Sequence, residues 1–220
     1  MKGLLIKDYK LILQQKRLFV IFVGIWIMLL FTNEADNFSF AVSYLMFVLA
    51  MFTVSTISYD QYDNGMAFLM TLPTSRIMYI REKYLLAVVN VIASAVLSVL
   101  VTMIVNSVRG NTCDPVELIA VTIVLAIVVL VMLAFMLPFS ILFGSEKGRI
   151  VLVAVVGVCC VIGVVGSRLS ESVNLAFEET VNRIFSQNPV SMIIEGVVLC
   201  ICVLGISYLV TVRQMMKKEF

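Results

Sequence analysis

Long apolar stretches alternate with short polar ones along almost the entire chain. A helix that crosses a bilayer needs about 20 apolar residues, because about 30 Å of hydrocarbon is crossed at about 1.5 Å per residue. Five stretches reach this length, and a shorter one near the start can let Lys16 and Arg17 extend to the interface. The predicted spans are residues 18–32, 38–58, 84–108, 117–143, 149–166 and 190–212. The sequence therefore predicts an all-α membrane protein with six transmembrane helices in one domain, residues 1–220.

Residues 4–17 have an amphipathic pattern with a helical period. Their apolar side chains share one arc of the helical wheel: Leu5, Ile6, Tyr9, Ile12 and Leu13. The opposite arc carries Lys7, Lys10, Gln14 and Arg17. Basic amphipathic helices of this kind lie along a membrane surface. We therefore expect an interfacial elbow helix that turns into the first span, with a frayed basic tail as the alternative.

A second amphipathic segment, residues 168–188, lies between the last two predicted spans. Its apolar residues, Phe177 among them, are mostly three or four positions apart, which is typical of a helix. Two placements remain open, because periodicity does not distinguish them. The helix lies on the outer leaflet, or it dips back between the spans as a gate over a central pathway.

Composition and charge agree with a membrane protein and orient it. The chain is 61% hydrophobic and only 14% charged, and its mean hydropathy is +1.07. Of the sixteen Lys and Arg residues, only Arg109, Arg168 and Arg183 fall on one side of the predicted spans. This asymmetry places both termini in the cytoplasm. The net charge of +2 comes without a basic tract, so a nucleic-acid partner is not expected.

Several kinds of chemistry are excluded by missing residue types and motifs. The chain has no histidine and no Cys-x-x-Cys pair, so we expect no metal site, no redox pair and no catalytic triad. It also has no phosphate-binding glycine-rich loop, so it is not expected to bind or hydrolyse ATP itself. The Glu-Glu-x-x-x-Arg motif at residues 178–183 occurs in intramembrane proteases, but their catalytic histidines are missing here. No cleaved signal peptide is expected either.

The loop between the second and third predicted spans carries the most specific pattern. Asp63-Asn64-Gly65 favours a turn and a helix start, Met66 to Leu72 is apolar, and Pro73 interrupts the helix. Thr74 or Ser75 can then cap a second helix. The apolar side chains of this loop need a partner, which is lipid, the rest of the chain or a second protein. They are Phe68, Leu69, Met70 and Leu72.

This loop resembles the coupling loop in the permease subunits of type-2 ABC (ATP-binding-cassette) exporters. The resemblance rests on the acid-Asn-Gly turn, the run from Leu72 to Arg76, and Tyr79 and Lys83 before the third span. It implies that residues 59–83 form a coupling loop whose helix fits a cleft in a separate ATPase subunit. Implied contact residues are Asp63, Asn64, Met66, Phe68, Leu69, Leu72, Pro73 and Arg76.

The same resemblance implies the partners and the cargo. Two ATPase subunits, which carry ATP and magnesium, would pair with two permease copies, as a homodimer or with a sister permease. Among such permeases the chain is similar to the phenol-soluble modulin exporters of Gram-positive bacteria. That similarity implies export of amphipathic cytolytic or antimicrobial peptides across the bacterial cytoplasmic membrane. An antibiotic, a lantibiotic or a lipid is the alternative cargo, and a non-transporting immunity or anchoring protein is the alternative class.

Polar residues inside spans are costly, so they are candidate pathway positions. The candidates here are Asn90 in the third span and Glu195 near the outer end of the sixth, together with Phe177 of the outer helix as a gate. Asn90 has an alternative role in hydrogen bonding between helices, which we favour. Glu195 has an alternative position at the membrane interface.

Overall fold

The computed structural model is all helical over the residues it describes. These are residues 2–32, 38–62, 65–71, 75–109, 115–144 and 189–217, with single positions at 150, 153, 154, 157 and 161. Seven helices lie in these ranges. They are α1 (Lys2–Gln14), α2 (Lys16–Thr32), α3 (Phe38–Gln61), α4 (Gly65–Thr71), α5 (Arg76–Arg109), α6 (Pro115–Phe143) and α7 (Pro189–Lys217). The predicted span 149–166, apart from those single positions, and the predicted outer helix 168–188 lie outside the described residues.

Four of the described helices, α3, α5, α6 and α7, are long and apolar enough to cross a membrane. The helices α1 and α2 meet at a bend of 68° next to Gln15, and they give a fifth candidate span if the bent pair counts as one. Helix α2 alone has 17 residues, which corresponds to about 26 Å of rise. The structure therefore defines a multi-span helical membrane protein.

The bundle is built around α3, whose buried residues face several neighbouring helices. Its main apolar core joins α3 to α5 and α6, with Met46, Ile57, Ile80, Leu133 and Leu137 fully or almost fully buried. A smaller cluster packs α2 against the first half of α3. It contains Trp26, Leu30, Ala41 and Leu45.

The hydrogen bonds between helices fix their directions. The start of α5 meets the end of α3, since Tyr79 Oη donates to Asp60 Oδ2 at 3.2 Å, so these two helices are antiparallel. The ends of α3 and α6 also meet, where Gln61 Nε2 donates to the Ser140 carbonyl at 2.7 Å. The end of α7 lies at the same place, because Arg76 donates to the Met215 carbonyl. Helices α3, α6 and α7 therefore all run toward one end of the bundle, and α5 starts there.

The third predicted span, residues 84–108, is the later part of a helix that begins earlier than the sequence indicated. Helix α3 continues to Gln61 and α5 starts at Arg76, so the connection between them is shorter than the predicted loop 59–83. Ser75 is the N-cap of α5, because its Oγ accepts a hydrogen bond from the Met78 backbone N–H at 3.2 Å. The additional turns of α5 carry the buried side chains of Tyr79, Glu82 and Lys83.

Candidate functional site

The end of the bundle where α3, α6 and α7 finish and α5 begins carries most of the polar contacts between helices. We call it the charged end. It gathers Lys7 and Asp8 of α1, Asp60 of α3, and Tyr79, Glu82 and Lys83 of α5. Helix α5 has 34 residues and is about 51 Å long, which exceeds the hydrocarbon thickness by about 20 Å. Its first two turns, up to Lys83, lie before the predicted span, and we infer from their charged residues that they lie outside the hydrocarbon.

Lys83 is the centre of the charged end. Its side chain is fully buried, and its ammonium forms ion pairs with Asp8 and with Asp60, at 2.7 Å from Asp60 Oδ2. It also donates to Thr56 Oγ1 at 3.0 Å. Because a buried ammonium needs all its donors satisfied, these three acceptors explain how the bundle tolerates it. One lysine thus joins α1, α3 and α5.

Lys7 adds a second bridge between α1 and α3. Its ammonium pairs with Asp60 and lies 3.1 Å from Asp8 Oδ1. Burial is the largest single influence on the pKa of Asp8 and would raise it, but the interactions with Lys83, Glu82 and Lys7 together outweigh burial and lower the pKa. Asp8 is therefore ionised at neutral pH. The elbow helix α1 is held against the bundle by charge as well as by Leu4, which is buried.

Two helix ends at the charged end are capped by side chains of the last residue of α3, Gln61, and the first residue of α5, Arg76. The last carbonyl groups of a helix have no partner within it and need one from elsewhere. The Gln61 amide supplies one to Ser140 at the end of α6, and the Arg76 guanidinium supplies one to Met215, at 2.9 Å, at the end of α7. A movement of Gln61 and Arg76 would therefore act on the ends of both α6 and α7.

A third link starts from a proline inside α6. Pro138 has no backbone N–H, so the carbonyl of Ala134 loses its partner within the helix. The Ser207 hydroxyl of α7 donates to this carbonyl. Tyr84 of α5 completes the link, since its hydroxyl lies 2.6 Å from Ser207 Oγ and 3.0 Å from Thr211 Oγ1. Helices α5, α6 and α7 are thereby tied together by Tyr84, the residue that directly follows Lys83.

The short helix α4 lies against the charged end and divides into two faces. Met66 and Leu69 are buried, whereas Phe68 is 69% exposed. Gly65 allows the close approach of α4 to α3, because a Cβ at this position would lie 2.9 Å from the backbone oxygen of Asp60. The exposed aromatic ring of Phe68 is thus presented by a helix that is anchored to the ion cluster.

The residues that the sequence analysis placed in the coupling loop fall into three groups. Met66 and Leu69 pack inward and Phe68 points outward, as described above. Arg76 bonds to the end of α7 within its own chain. The remaining four lie outside the described residues: Asp63, Asn64, Leu72 and Pro73.

The candidate pathway residues are not brought together. Asn90 is half-buried, and its Nδ2 donates to Thr53 Oγ1 of α3 at 2.8 Å, which is a hydrogen bond between helices. Glu195 is exposed at the start of α7, near the opposite end of the bundle. Phe177 lies outside the described residues. The structure thus separates Asn90, near the charged end, from Glu195.

The sequence analysis missed the buried ion cluster. It placed Lys7 on the polar face of the elbow helix, used Lys83 only for orientation and for the family resemblance, and gave no role to Asp8, Asp60 or Glu82. One signal was available: Asp60 and Lys83 lie directly next to predicted spans and are opposite in charge. Their pairing depends on α3 and α5 being antiparallel, which spacing along the chain does not show.

A bundle of long apolar helices with its ionic contacts collected at one end is a polytopic membrane protein. Comparison with protein families assigns it further: a profile described as ABC-2 family transporter protein matches residues 3–216. The match covers nearly the whole chain, so the chain belongs to the ABC-2 family and is a permease of an ABC exporter. This family implies in general an ABC ATPase as partner. Searches of curated proteins and of solved structures found no match.

Proposed function

We propose that a separate ABC ATPase docks on the exposed face of α4 and drives this permease through the charged end. The observation that carries the proposal is the division of α4. Phe68 is exposed while Met66 and Leu69 anchor the helix to the bundle. An exposed aromatic side chain on a short, anchored helix suits a groove in a partner protein.

The contacts of the charged end supply a route for the motion. A push on α4 acts on Asp60 through the close contact at Gly65. From Asp60 it passes to α1 through Lys7, and to α5 through Lys83. After α4 the chain enters α5, whose first residue, Arg76, contacts the end of α7. Each of the long described helices is therefore connected to α4 through one or two polar contacts.

We propose in addition that the chain has six spans and that both termini lie in the cytoplasm. Ala134 and Ser207 are in contact, and so are Ile127 and Gly196, so α6 and α7 run in the same direction. The chain between two parallel helices has to return to the far end, which supports one more crossing between them. The many Lys and Arg residues of the charged end support a cytoplasmic position for it.

We further propose that the cargo is an amphipathic peptide, moved by two permease copies and two ATPase subunits in the bacterial cytoplasmic membrane. A groove of about 560 Å³ between α6 and α7 supports an apolar or amphipathic cargo. Its walls include Phe135, Phe139, Leu142, Val203 and Val210. In inside-out vesicles, amphipathic helical peptides should stimulate ATP hydrolysis and accumulate only with ATP, whereas a failure of all of them would reject the peptide cargo.

The docking proposal is tested by placing a charge on the exposed face of α4. Phe68→Asp should reduce co-purification of the ATPase and ATP turnover of the complex at least tenfold, because the carboxylate would be buried against the partner. Val116→Asp is the matched control, since Val116 is equally exposed, at 78%, but lies at the opposite end of the bundle. Both variants should keep the fold of the permease alone. Equal ATPase binding by the two variants would contradict the proposal.

A further inference from the structure

Glu82 is a buried carboxyl group that accepts no hydrogen bond from the described part of the chain and has only a long ion pair with Lys83. Its side chain is fully buried, and among the described residues neither oxygen has a hydrogen-bond partner. The neighbouring Lys83 ammonium is 3.9 Å from Oε2, and its donors go to Asp8, Asp60 and Thr56 instead. A buried carboxylate in this position is costly unless it carries a proton.

The charge balance of the cluster also calls for one proton. Two ammonium groups, Lys7 and Lys83, face three carboxyl groups, those of Asp8, Asp60 and Glu82. Both ammonium groups are engaged by Asp8 and Asp60. With one proton on the third carboxyl the cluster is neutral, whereas without it a net negative charge is buried between α1, α3 and α5.

The surroundings decide which carboxyl group holds the proton. Glu82 is faced by Lys7 and Asp8 from α1 and by Tyr79 and Lys83 from its own helix, and Asp60 of α3 contacts the last two of these residues. Burial raises the pKa of Glu82 to about 8, and the Asp8 carboxylate adds to the rise. Asp8 is the neighbouring acceptor within hydrogen-bond reach, and its own pKa is lowered. Glu82 is therefore the protonated member and Asp8 the acceptor.

We propose that Glu82 carries a proton that it shares with Asp8 across the contact between α1 and α5, and that it releases this proton to water when α1 withdraws. The site is thus a proton-binding site at the joint between the elbow helix and the bundle. It links attachment of the elbow helix to pH. This proposal does not depend on where the ATPase docks.

The direction of the pH dependence follows from the two states of Glu82. With α1 in place its pKa is about 8, and with α1 withdrawn the exposed carboxyl returns to about 4.5. The attached state therefore binds one more proton between these values. Each unit of rising pH within that window should weaken attachment about tenfold, with no further change above pH 8. The lowered pKa of Asp8 acts only below the window.

The test uses the full chain in lipid nanodiscs and observes the proton directly. Infrared difference spectra should show the C=O band of a protonated carboxylic acid at pH 7, which disappears with a midpoint near pH 8. Glu82→Gln should abolish the band, and Glu117→Gln, which alters an exposed glutamate at the start of α6, should leave it unchanged. Absence of the band in the unmodified protein at pH 7, or its survival in Glu82→Gln, would overturn the proposal.

Two further measurements test the sharing and the link to α1. Asp8→Asn should move the midpoint of the band to lower pH, because it removes the carboxylate that raises the pKa of Glu82. Spin labels at the exposed positions Lys10 of α1 and Leu85 of α5 should separate as pH rises from 5 to 8 in an otherwise cysteine-free chain. In Glu82→Gln their distance should be independent of pH. An unchanged midpoint in Asp8→Asn, or equal pH dependence in Glu82→Gln, would contradict the proposal.

Discussion

The two ends of this helix bundle are held together by different forces. At the charged end, Lys7 and Lys83 bridge three helices through Asp8 and Asp60. At the opposite end, the described residues of α2 and α3 meet through an apolar cluster in which Trp26 and Leu30 pack on Ala41 and Leu45. The contacts between helices are therefore ion pairs and hydrogen bonds at the charged end, and apolar packing at the opposite end.

This difference matters because of the solvent. Lipid chains are as apolar as leucine, so apolar packing within a membrane gains mainly van der Waals contacts and favours no particular neighbour strongly. Ion pairs and caps at the charged end fix which helices stay together. We infer that the charged end behaves as one unit, whereas the apolar end can slide or open.

The largest loss of stability is expected when the central ammonium group, that of Lys83, is removed. Lys83→Met leaves Asp8 and Asp60 buried with one fewer partner, and loss of one member of a buried ion pair costs about 3–5 kcal/mol. Unfolding of the permease in detergent should show a loss of this size.

Lys10→Met is the matched control, because Lys10 is an exposed lysine on the elbow helix. It should leave stability almost unchanged. Adding Asp8→Asn to Lys83→Met should recover part of the loss, since it removes one of the unpaired charges. Equal stabilities of Lys83→Met and Lys10→Met would show that the ion cluster does not hold the bundle.

A smaller effect is expected at the link made by Tyr84, the residue after Lys83, where the Ser207 hydroxyl replaces a missing backbone donor. Ser207→Ala leaves the Ala134 carbonyl buried without a partner, which should cost about 1–3 kcal/mol. Pro138→Ala restores a backbone N–H to this carbonyl. Unfolding measurements should therefore find that Ser207→Ala costs much less in the Pro138→Ala background. Additive effects of the two substitutions would contradict this explanation.

Most of the helices could be predicted from the sequence, whereas the ion cluster could not. Apolar length alone located α3, α5, α6 and α7, because the thickness of the bilayer leaves few alternatives. The same reasoning started the third span at residue 84, directly after the charged Lys83, whereas the helix begins at Arg76. A lysine such as Lys83 normally extends toward water, and only the convergence of α1 and α3 provides the carboxylates that bury it.

The sequence also did not show which face of α4 is buried and which is exposed. Phe68 and Leu69 are adjacent and equally apolar, so composition made both of them candidates for a partner contact. The structure separates them because Gly65 sets α4 close against Asp60 and turns Leu69 inward. Which face of so short a helix is free depends on that tertiary contact.

The smallest effect is expected at the apolar end. Leu30→Ala removes a buried side chain of the cluster between α2 and α3. Because lipid replaces some of the lost contacts, the cost should be about 1 kcal/mol, below the values typical of water-soluble cores. Unfolding in the same detergent provides the comparison. A loss as large as that of Lys83→Met would remove the contrast between the two ends.

The most direct test of the account is to ask what touches α4 in the assembled transporter. A photo-crosslinking amino acid in place of Phe68, in membranes that also contain the ABC ATPase of this transporter, should give a protein crosslink to that ATPase. The same amino acid in place of Val116 should give no crosslink to the ATPase. Crosslinks from position 68 to lipid alone, or equal crosslinking from both positions, would contradict the claim that α4 at the charged end receives the ATPase.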